Sequence, residues 1–291
     1  MQREVIRIYM VRGIYTAASG MIAQRHRLEV IANNLANIDL TGYKKDLSVQ
    51  KAFPEMLIRR TNDDGLYKFP KGYLETAPVV GKLGTGVEEN EIYTSFEQGS
   101  LKITGNPLDL ALTEEGFFVV QTPEGERYTR NGSFTLGREG ILITKDGYPV
   151  IGEKGYIHIK DNNFKITEQG QIFHNSTFES NPKRLVSESE NSWENYELLD
   201  NLKIVNFEKA RFLKKQGSSL WYSTEISGQA KNIPINSRPK IESGVLECSN
   251  VNAINEMVSM ITVNRVYEAN QKTIQTEDTL LGKLINEIGK F

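Results

Sequence analysis

Residues 14–41 read IYTAASGMIAQRHRLEVIANNLANIDLT, and the spacing of their apolar side chains decides the fold. Steps of seven from Ile14 meet Met21, Leu28 and Leu35, and the companion series three residues on meets Ala17, Gln24, Ile31 and Ile38. Only Gln24 interrupts the two series. Apolar residues recurring in this way make a narrow stripe, the pattern of a helix packed along a seam against other helices. Thr41-Gly42 then predicts a stop, because glycine takes the left-handed angle after a last helical turn without steric cost. A helix from Ile14 to Thr41 is about 42 Å long at the usual rise per residue.

The far end carries a related pattern. Ala253, Met260, Tyr267, Ile274, Leu281 and Ile288 are apolar at every heptad step. The series four residues on is Met257, Asn264, Gln271, Asp278 and Ile285, polar in its middle three positions. Ser249 stands just before this periodicity and is the expected N-cap. Asn264 and Gln271 form either a solvated edge or seam amides that set register. Two arrangements fit both ends: an antiparallel helix pair closing one globular domain, or helices that pack against other subunits. Helices that depend on packing are marginal alone in water. Two long, narrow seams with little other apolar surface therefore favour subunit contacts, with ends partly disordered until they assemble.

Between the ends the composition changes. All nine prolines lie between Pro54 and Pro239, and 16 of the 24 glycines fall between Gly65 and Gly170. Proline breaks helices and glycine supplies turn angles, so the interior is expected to be all-β. Gly116-Phe117-Phe118-Val119-Val120 leads through Thr122-Pro123-Glu124-Gly125 into Arg127-Tyr128-Thr129-Arg130, a strand, a turn and a second strand. Asn131-Gly132 and Asp146-Gly147 are further hairpin signals. Their spacing suggests a small sandwich or barrel-like domain. Residues 46–90 mix aromatics, prolines and charges without a period and suit an extended linker or long hairpin.

Composition excludes more than it identifies. With 35 Lys and Arg against 37 Asp and Glu, no basic field argues for nucleic acid. The single cysteine, Cys248, forms no internal disulfide. His26, His158 and His174 are scattered, without zinc-ligand spacing, so neither metal nor other cofactor is expected. No apolar run is long enough to span a bilayer, and Met1 to Val11 lacks the apolar core of a signal peptide. The Glu-rich stretch Ser180 to Asp200 reads as a solvated loop rather than a cation site. Gly81 to Gly86 precedes a β region and opens no phosphate-binding helix. Asp109 with Glu114 or Glu115 is the one carboxylate pairing that would serve a periplasmic glycan-acting enzyme, and a turn explains these residues better.

Several stretches carry a family likeness. Gly13-Ile14-Tyr15-Thr16-Ala17-Ala18-Ser19-Gly20-Met21, Ala32-Asn33-Asn34-Leu35-Ala36-Asn37 and Thr41-Gly42-Tyr43-Lys44-Lys45 resemble the N-terminal signature of the bacterial flagellar rod and hook proteins. Leu246-Glu247-Cys248-Ser249-Asn250-Val251-Asn252, then Glu256-Met257-Val258 and Arg265-Val266-Tyr267-Glu268, resemble the matching C-terminal signature. Gln98-Gly99-Ser100-Leu101, Thr104 to Ala111, Tyr128 to Phe134 and Leu213 to Gly217 are similar to β-domain motifs of the rod subfamily. The ending Asp278 to Lys283 with Asn286 to Lys290 looks more like the proximal-rod (FlgF) type than the distal-rod (FlgG) type. The family usually begins at the equivalent of Met10, which makes residues 1–9 an upstream extension or a misplaced start.

The resemblance implies an α+β protein in which both chain ends form one discontinuous helical, coiled-coil domain with an all-β domain inserted. Its boundaries are 10–45 for the N-terminal helix, 46–90 for the linker or hairpin, 91–245 for the β domain and 246–291 for the C-terminal helix. It implies a non-enzymatic axial subunit that is exported unfolded through the flagellar type III apparatus and assembles helically across the periplasm to transmit torque. The partners implied are further copies of itself, other rod proteins, the export apparatus and basal-body ring proteins. The expected subunit interface is the seam residues Ile14, Ala17, Met21, Leu28, Ile31, Leu35, Ile38, Ala253, Met257, Met260, Tyr267, Ile274, Leu281, Ile285 and Ile288, together with Asn33, Asn34 and Asn37 of the N-terminal motif.

Overall fold

The computed structural model describes residues 2–59, 66–69, 72–75, 79–160, 163–175, 196–217 and 219–288, with side chains in the helices from residue 12 and up to residue 286. A helix stands at each end of the chain and strands make up the sequence between, an α+β arrangement. Helix α1 spans Gln2–Ala36 and α2 spans Ala253–Ile288. Among the described residues no helix is long and apolar enough to cross a membrane.

α1 begins at Gln2, ahead of the expected start at Ile14 and through the residues read as an extension, while the inner end of each helix stops short of its expected bound. After Ala36 the chain tightens into successive three-residue turns, Asn37 N to Asn34 O at 3.3 Å, Ile38 N to Leu35 O at 3.4 Å and Leu40 N to Asn37 O at 3.2 Å. The α-helix therefore ends before Thr41. The cause is Asn34, whose amide donates to Asp46 O at 2.8 Å while its Oδ1 accepts from Asp46 N at 2.9 Å, folding the following loop back onto the helix. At the other end Ser249 Oγ accepts from Val251 N at 3.2 Å, a local turn rather than a cap, and α2 begins only at Ala253.

The chain divides into two compact units. The first gathers residues 1–33, 47–92 and 254–291. Here α1 and α2 run antiparallel: a Cβ on Gly13 would lie 2.8 Å from Glu277 Oε1, and one on Gly20 would lie 2.8 Å from Asn270 Nδ2. Seven residues forward on α1 are matched by seven back on α2. The same unit holds an antiparallel ribbon whose pairings are nested: Asp46–Ala52 with Val87–Thr94, Met56–Arg59 with Val79–Leu83, and Leu66–Phe69 with Gly72–Glu75. The base of the ribbon is tied to α1, since Thr16 Oγ1 donates to Thr85 O at 3.2 Å, Val87 N to Ser19 Oγ at 3.3 Å and Gln50 Nε2 to Ala23 O at 3.1 Å. Small residues on this part of α1, Ala17 and Ala23 among them, are buried.

The second unit comprises residues 34–46 and 93–253. Its main sheet has six strands in the order Lys214–Gln216, Leu220–Tyr222, Gly125–Thr129, Phe117–Thr122, Ile204–Asn206 and Lys231–Asn232. Successive side chains of a strand face opposite ways. Phe118 and Val120 accordingly enter one apolar cluster, with Leu110, Phe134, Leu142, Val150 and Ile172, while Phe117 and Val119 enter another with Tyr128, Phe207 and Trp221. Both faces of this strand are covered, which is why it reads as an unbroken Phe-Phe-Val-Val run rather than an alternation. Phe118 stands edge-on to Phe134 at 5.3 Å between centroids, and Phe117 to Phe96 at 5.2 Å.

Of the turn signals, Pro123-Glu124 joins two strands paired from Gly125↔Thr122, and Gly147, with φ 87°, closes a turn in which its N donates to Thr144 O at 2.9 Å. Asn131-Gly132 turns no hairpin. It runs past Leu110, whose N donates to Gly132 O at 3.0 Å, so close that a Cβ on Gly132 would overlap the Leu110 carbonyl. The hairpin dipeptide is here a site of close backbone approach. Replacing the fully buried Phe118 by Ala removes its ring from one cluster only, and is expected to destabilise the protein by about 3–5 kcal/mol. Urea denaturation checks this against Ile226→Ala, an exposed position, which is expected to stay within about 0.5 kcal/mol.

Candidate functional site: the junction of the two chain ends

The loop that leaves α1 and the strand that leads to α2 meet inside the second unit. Val245–Glu247 pairs antiparallel with Leu101–Ile103, and this presents Glu247 to the loop Thr41–Lys45. Gly42 makes the approach possible. With φ at 66° it adopts the left-handed conformation, its N donates to Glu247 O at 2.7 Å, and a Cβ would fall 2.5 Å from Arg130 C and Asn131 N. Tyr43 and Lys44 follow, both with no exposed surface.

Lys44 is the centre of the junction. Its Nζ donates to Glu247 Oε1 at 2.6 Å and to Glu97 O at 2.6 Å, and the pair is 0% and 1% exposed. Glu247 Oε1 also accepts from Gly99 N at 3.1 Å, and its Oε2 lies 3.8 Å from Arg130 Nη1. Arg130 is itself buried, donating to Glu114 O at 2.7 Å with its guanidinium over the Phe117 ring. Two buried cations thus share one carboxylate. Burial lowers the Lys44 pKa from its ordinary value, the Glu247 carboxylate opposes that shift, and the Arg130 charge adds to it.

Asn250 completes the link. Its Oδ1 accepts from Lys45 N at 2.8 Å, its Nδ2 donates to Ser95 O and Glu97 O at 3.0 Å each, and its N donates to Tyr43 O at 3.4 Å. Below the loop, Tyr43 OH donates to Asn34 Oδ1 at 3.2 Å. Lys215 Nζ sits 4.1 Å from the Tyr43 ring centroid and donates to Lys44 O at 3.1 Å and Asp46 Oδ2 at 2.9 Å. Burial lowers the pKa of Lys215 too, against the pull of Asp46.

The residues expected at a subunit interface differ in how far the single chain covers them. On α1, Ala17, Ile31 and Asn34 are buried, Ile14, Met21, Leu28, Leu35, Asn37 and Ile38 half-buried, and Asn33 exposed. On α2 the series Ala253, Met260, Tyr267, Ile274 and Leu281 is half-buried, while Met257 and Ile285 are exposed. The side chain of Ile288 lies outside the described residues. The companions that are covered in this chain are Glu256, Val263, Asn270, Glu277 and Leu284, three residues on from the series rather than four. Asn264, Gln271 and Asp278 are exposed, a solvated edge in the single chain.

Asn34 is the one expected site residue in the junction. Lys44, Glu247, Asn250 and Arg130 stand within the quoted motifs, but no periodicity singles them out. The tell-tale signal is a Lys next to Gly-Tyr at the end of a helix, in a chain whose other end holds a lone Glu between apolar Leu246 and half-buried Cys248. The carboxylates weighed for glycan chemistry are not brought together as a reacting pair: Asp109 is buried and accepts from Thr104 Oγ1 at 2.7 Å, while Glu114 and Glu115 are exposed. Gly81 to Gly86 lies on a strand and the turn after it, and opens no helix. Glu188, Glu190 and Glu194 lie outside the described residues. Among the described residues no group of His, Cys, Asp and Glu is placed to hold a metal.

Three family models match the chain: flagella basal body rod protein over residues 14–44, flagellar hook protein FlgE/F/G D1 domain over 111–174, and flagellar basal body rod FlgEFG protein C-terminal over 242–287. The first ends at Lys44 and the last contains Glu247. Among similar proteins, a flagellar hook-basal body complex protein FlhO of Bacillus subtilis is 33% identical over 97% of this chain and 100% of its own length. A flagellar basal-body rod protein FlgG of Borreliella burgdorferi is 32% identical over 94% of this chain and 97% of its own, and one of Buchnera aphidicola is 33% identical over 94% and 99%.

Two outcomes follow from the geometry. Gly42→Ala meets backbone atoms that cannot swing aside and forces a disfavoured φ, so it should cost more than about 1 kcal/mol. Gly81→Ala, with nothing within 4 Å, should be near neutral in the same denaturant series. The two lysines give a pH signature. Their folded pKa values lie below the ordinary value of about 10.4, so between the two the unfolded chain binds more protons. In that window these groups by themselves make stability rise with pH. NMR titration should show Lys44 and Lys215 losing their protons below the free-lysine value; titration at or above it would contradict their burial.

Proposed function

The chain belongs to the family of flagellar basal-body rod and hook proteins, and on that footing we propose that it is an axial rod subunit that polymerises helically through its terminal helices to transmit torque in motility. Membership makes it a structural component of the basal-body rod and not an enzyme. Self-association and contact with other rod proteins go with that role.

The observation that carries the helical assembly is the apolar surface left over once the chain has folded. Met257, Val258 and Ile261 of α2 are between 50% and 57% exposed and, at spacings of one and three residues, lie on one side of the helix. They are not in the covered series. On α1, Tyr15 and Ile22 are exposed, seven residues apart. The ribbon adds Met56, Leu57 and Ile58 on one strand and Val79, Val80 and Leu83 on its partner. An isolated two-stranded ribbon is marginal in water, and apolar side chains along it suit a neighbouring subunit. Fully burying one Val, Ile or Met side chain is worth about 1.5–3 kcal/mol. Repeated at every contact of a non-closing heterologous interface, such patches support a helical filament.

Export through the flagellar type III apparatus fits a chain with one cysteine and hence no internal disulfide to resist threading. Position along the rod rests on two opposed observations. The ending Asp278 to Lys283 favours the proximal type, and the FlgG name of the Borreliella and Buchnera relatives favours the distal type. Localising tagged protein in isolated basal bodies separates the two.

Val258→Asp and Ile261→Asp change exposed positions, so circular dichroism and thermal unfolding of the monomer should match wild type. Rod incorporation and swimming should be abolished. Wild-type motility of both variants would reject this face as a subunit contact.

A further inference from the structure

The junction spans the chain in an unusual way. Lys44 and Glu247 are 203 residues apart in sequence, and Lys45 and Asn250 are 205 apart. Of the loop after α1, the amides of Gly42 and Lys45, the carbonyl of Tyr43 and the ammonium of Lys44 all end on Glu247 or Asn250. Take those two residues away and the buried ammonium keeps one of the two hydrogen bonds named above, to the Glu97 carbonyl, with the more distant Glu97 carboxylate set against the Arg130 charge. An ion is not held in a dry site under those terms. The dependence runs both ways, because Glu247 without Lys44 has only Arg130 at 3.8 Å as a counter-charge.

We propose that the Lys44–Glu247–Asn250 cluster is a completion latch: the loop that ends α1 and the segment that starts α2 become ordered together or not at all. A chain made from its N-terminus has α1, the loop and the main-sheet strands up to Lys231–Asn232 in hand before residue 247 arrives. Until then the lysine has the Glu97 carbonyl but not the Glu247 carboxylate. The latch therefore withholds a fixed helix exit from any chain whose C-terminal segment is missing or unfolded. This extends the rod-subunit reading, since an incomplete subunit could not present both helices to a growing filament.

Hydrogen exchange on the purified full-length monomer tests it without reference to assembly. In Glu247→Gln, exchange should accelerate at least tenfold in residues 42–46 and in residues 250–254 alike, with the amides of Phe118 to Val120 unchanged. Lys44→Met/Glu247→Gln, which removes the ammonium together with its carboxylate, keeps an acceptor for Gly99 N and leaves Arg130 on the Glu114 carbonyl, should return both segments part of the way toward wild type. Asn250→Ala is the milder cut and should loosen the same two segments, so a poorly folding Glu247→Gln does not end the test. Acceleration in one segment alone, uniform acceleration that includes the core strand, or no recovery in the double variant would overturn the latch. Unchanged exchange in both segments of Glu247→Gln would overturn it as well, whereas wild-type motility of Val258→Asp and Ile261→Asp would count against the assembly reading and leave the latch untouched.

Discussion

An ammonium cannot be buried alone, and much of this structure answers to that constraint at Lys44. Its surroundings place one carboxylate between two buried cations, and backbone supplies further partners: Glu97 O accepts from Lys44 and Gly99 N donates to Glu247 Oε1, while Gly42 N holds the Glu247 carbonyl and, among the described residues, Arg130 Nε and Glu247 Oε2 make no hydrogen bond. Removing either member of a buried pair typically costs about 3–5 kcal/mol, because the survivor is left charged in a dry site. An apolar pair of similar volume would often be as stable or more so. What the ions add is specificity. Leucine packs against many surfaces, whereas Lys44 is satisfied only where Glu247 and the Glu97 carbonyl converge, and that fixes which part of a 291-residue chain closes on which.

Those same demands explain why the elements stop where they do. Asn34 could have continued a helix, but its side chain serves Asp46 and the Tyr43 hydroxyl instead, and the helix gives way to tight turns. Ser249 could have capped α2, but lies in the turn that follows Glu247. Local propensity loses in both places to a tertiary polar network, as propensity usually does when the competing groups are buried.

How much was legible follows from what kind of physics made each part. Helices at both ends and strands between were readable, because periodicity and the placement of proline and glycine are local properties. Phe117 to Val120 was readable as a buried strand for the same reason. The junction was not, since charged residues are normally outside and nothing local pairs residue 44 with residue 247. A family likeness quoted those residues without saying what they do. The heptad of α2 was legible in its first series and not in its second: Met257 looks apolar in sequence and is exposed, while Glu256 and Asn270 look polar and are covered. Polar residues at covered positions of a long helix are expected where the facing helix offers glycine, and Gly20 of α1 faces Asn270.

That exchange of small for large divides the labour on α2. A side chain spent on α1 within the chain is not available to another subunit, so the half-buried series and the exposed one answer to different selection. Substituting the half-buried Ile274 or Leu281 disturbs cover within the monomer as well as any subunit contact they make. Substituting Val258 or Ile261 leaves the monomer's packing alone. A defect in the filament therefore reports on subunit contact only when it arises from the second set, and seam positions chosen from periodicity alone would confuse the two. The covered stripe and the latch together act on a single chain, and what they leave uncovered is the surface on which a shaft can be built.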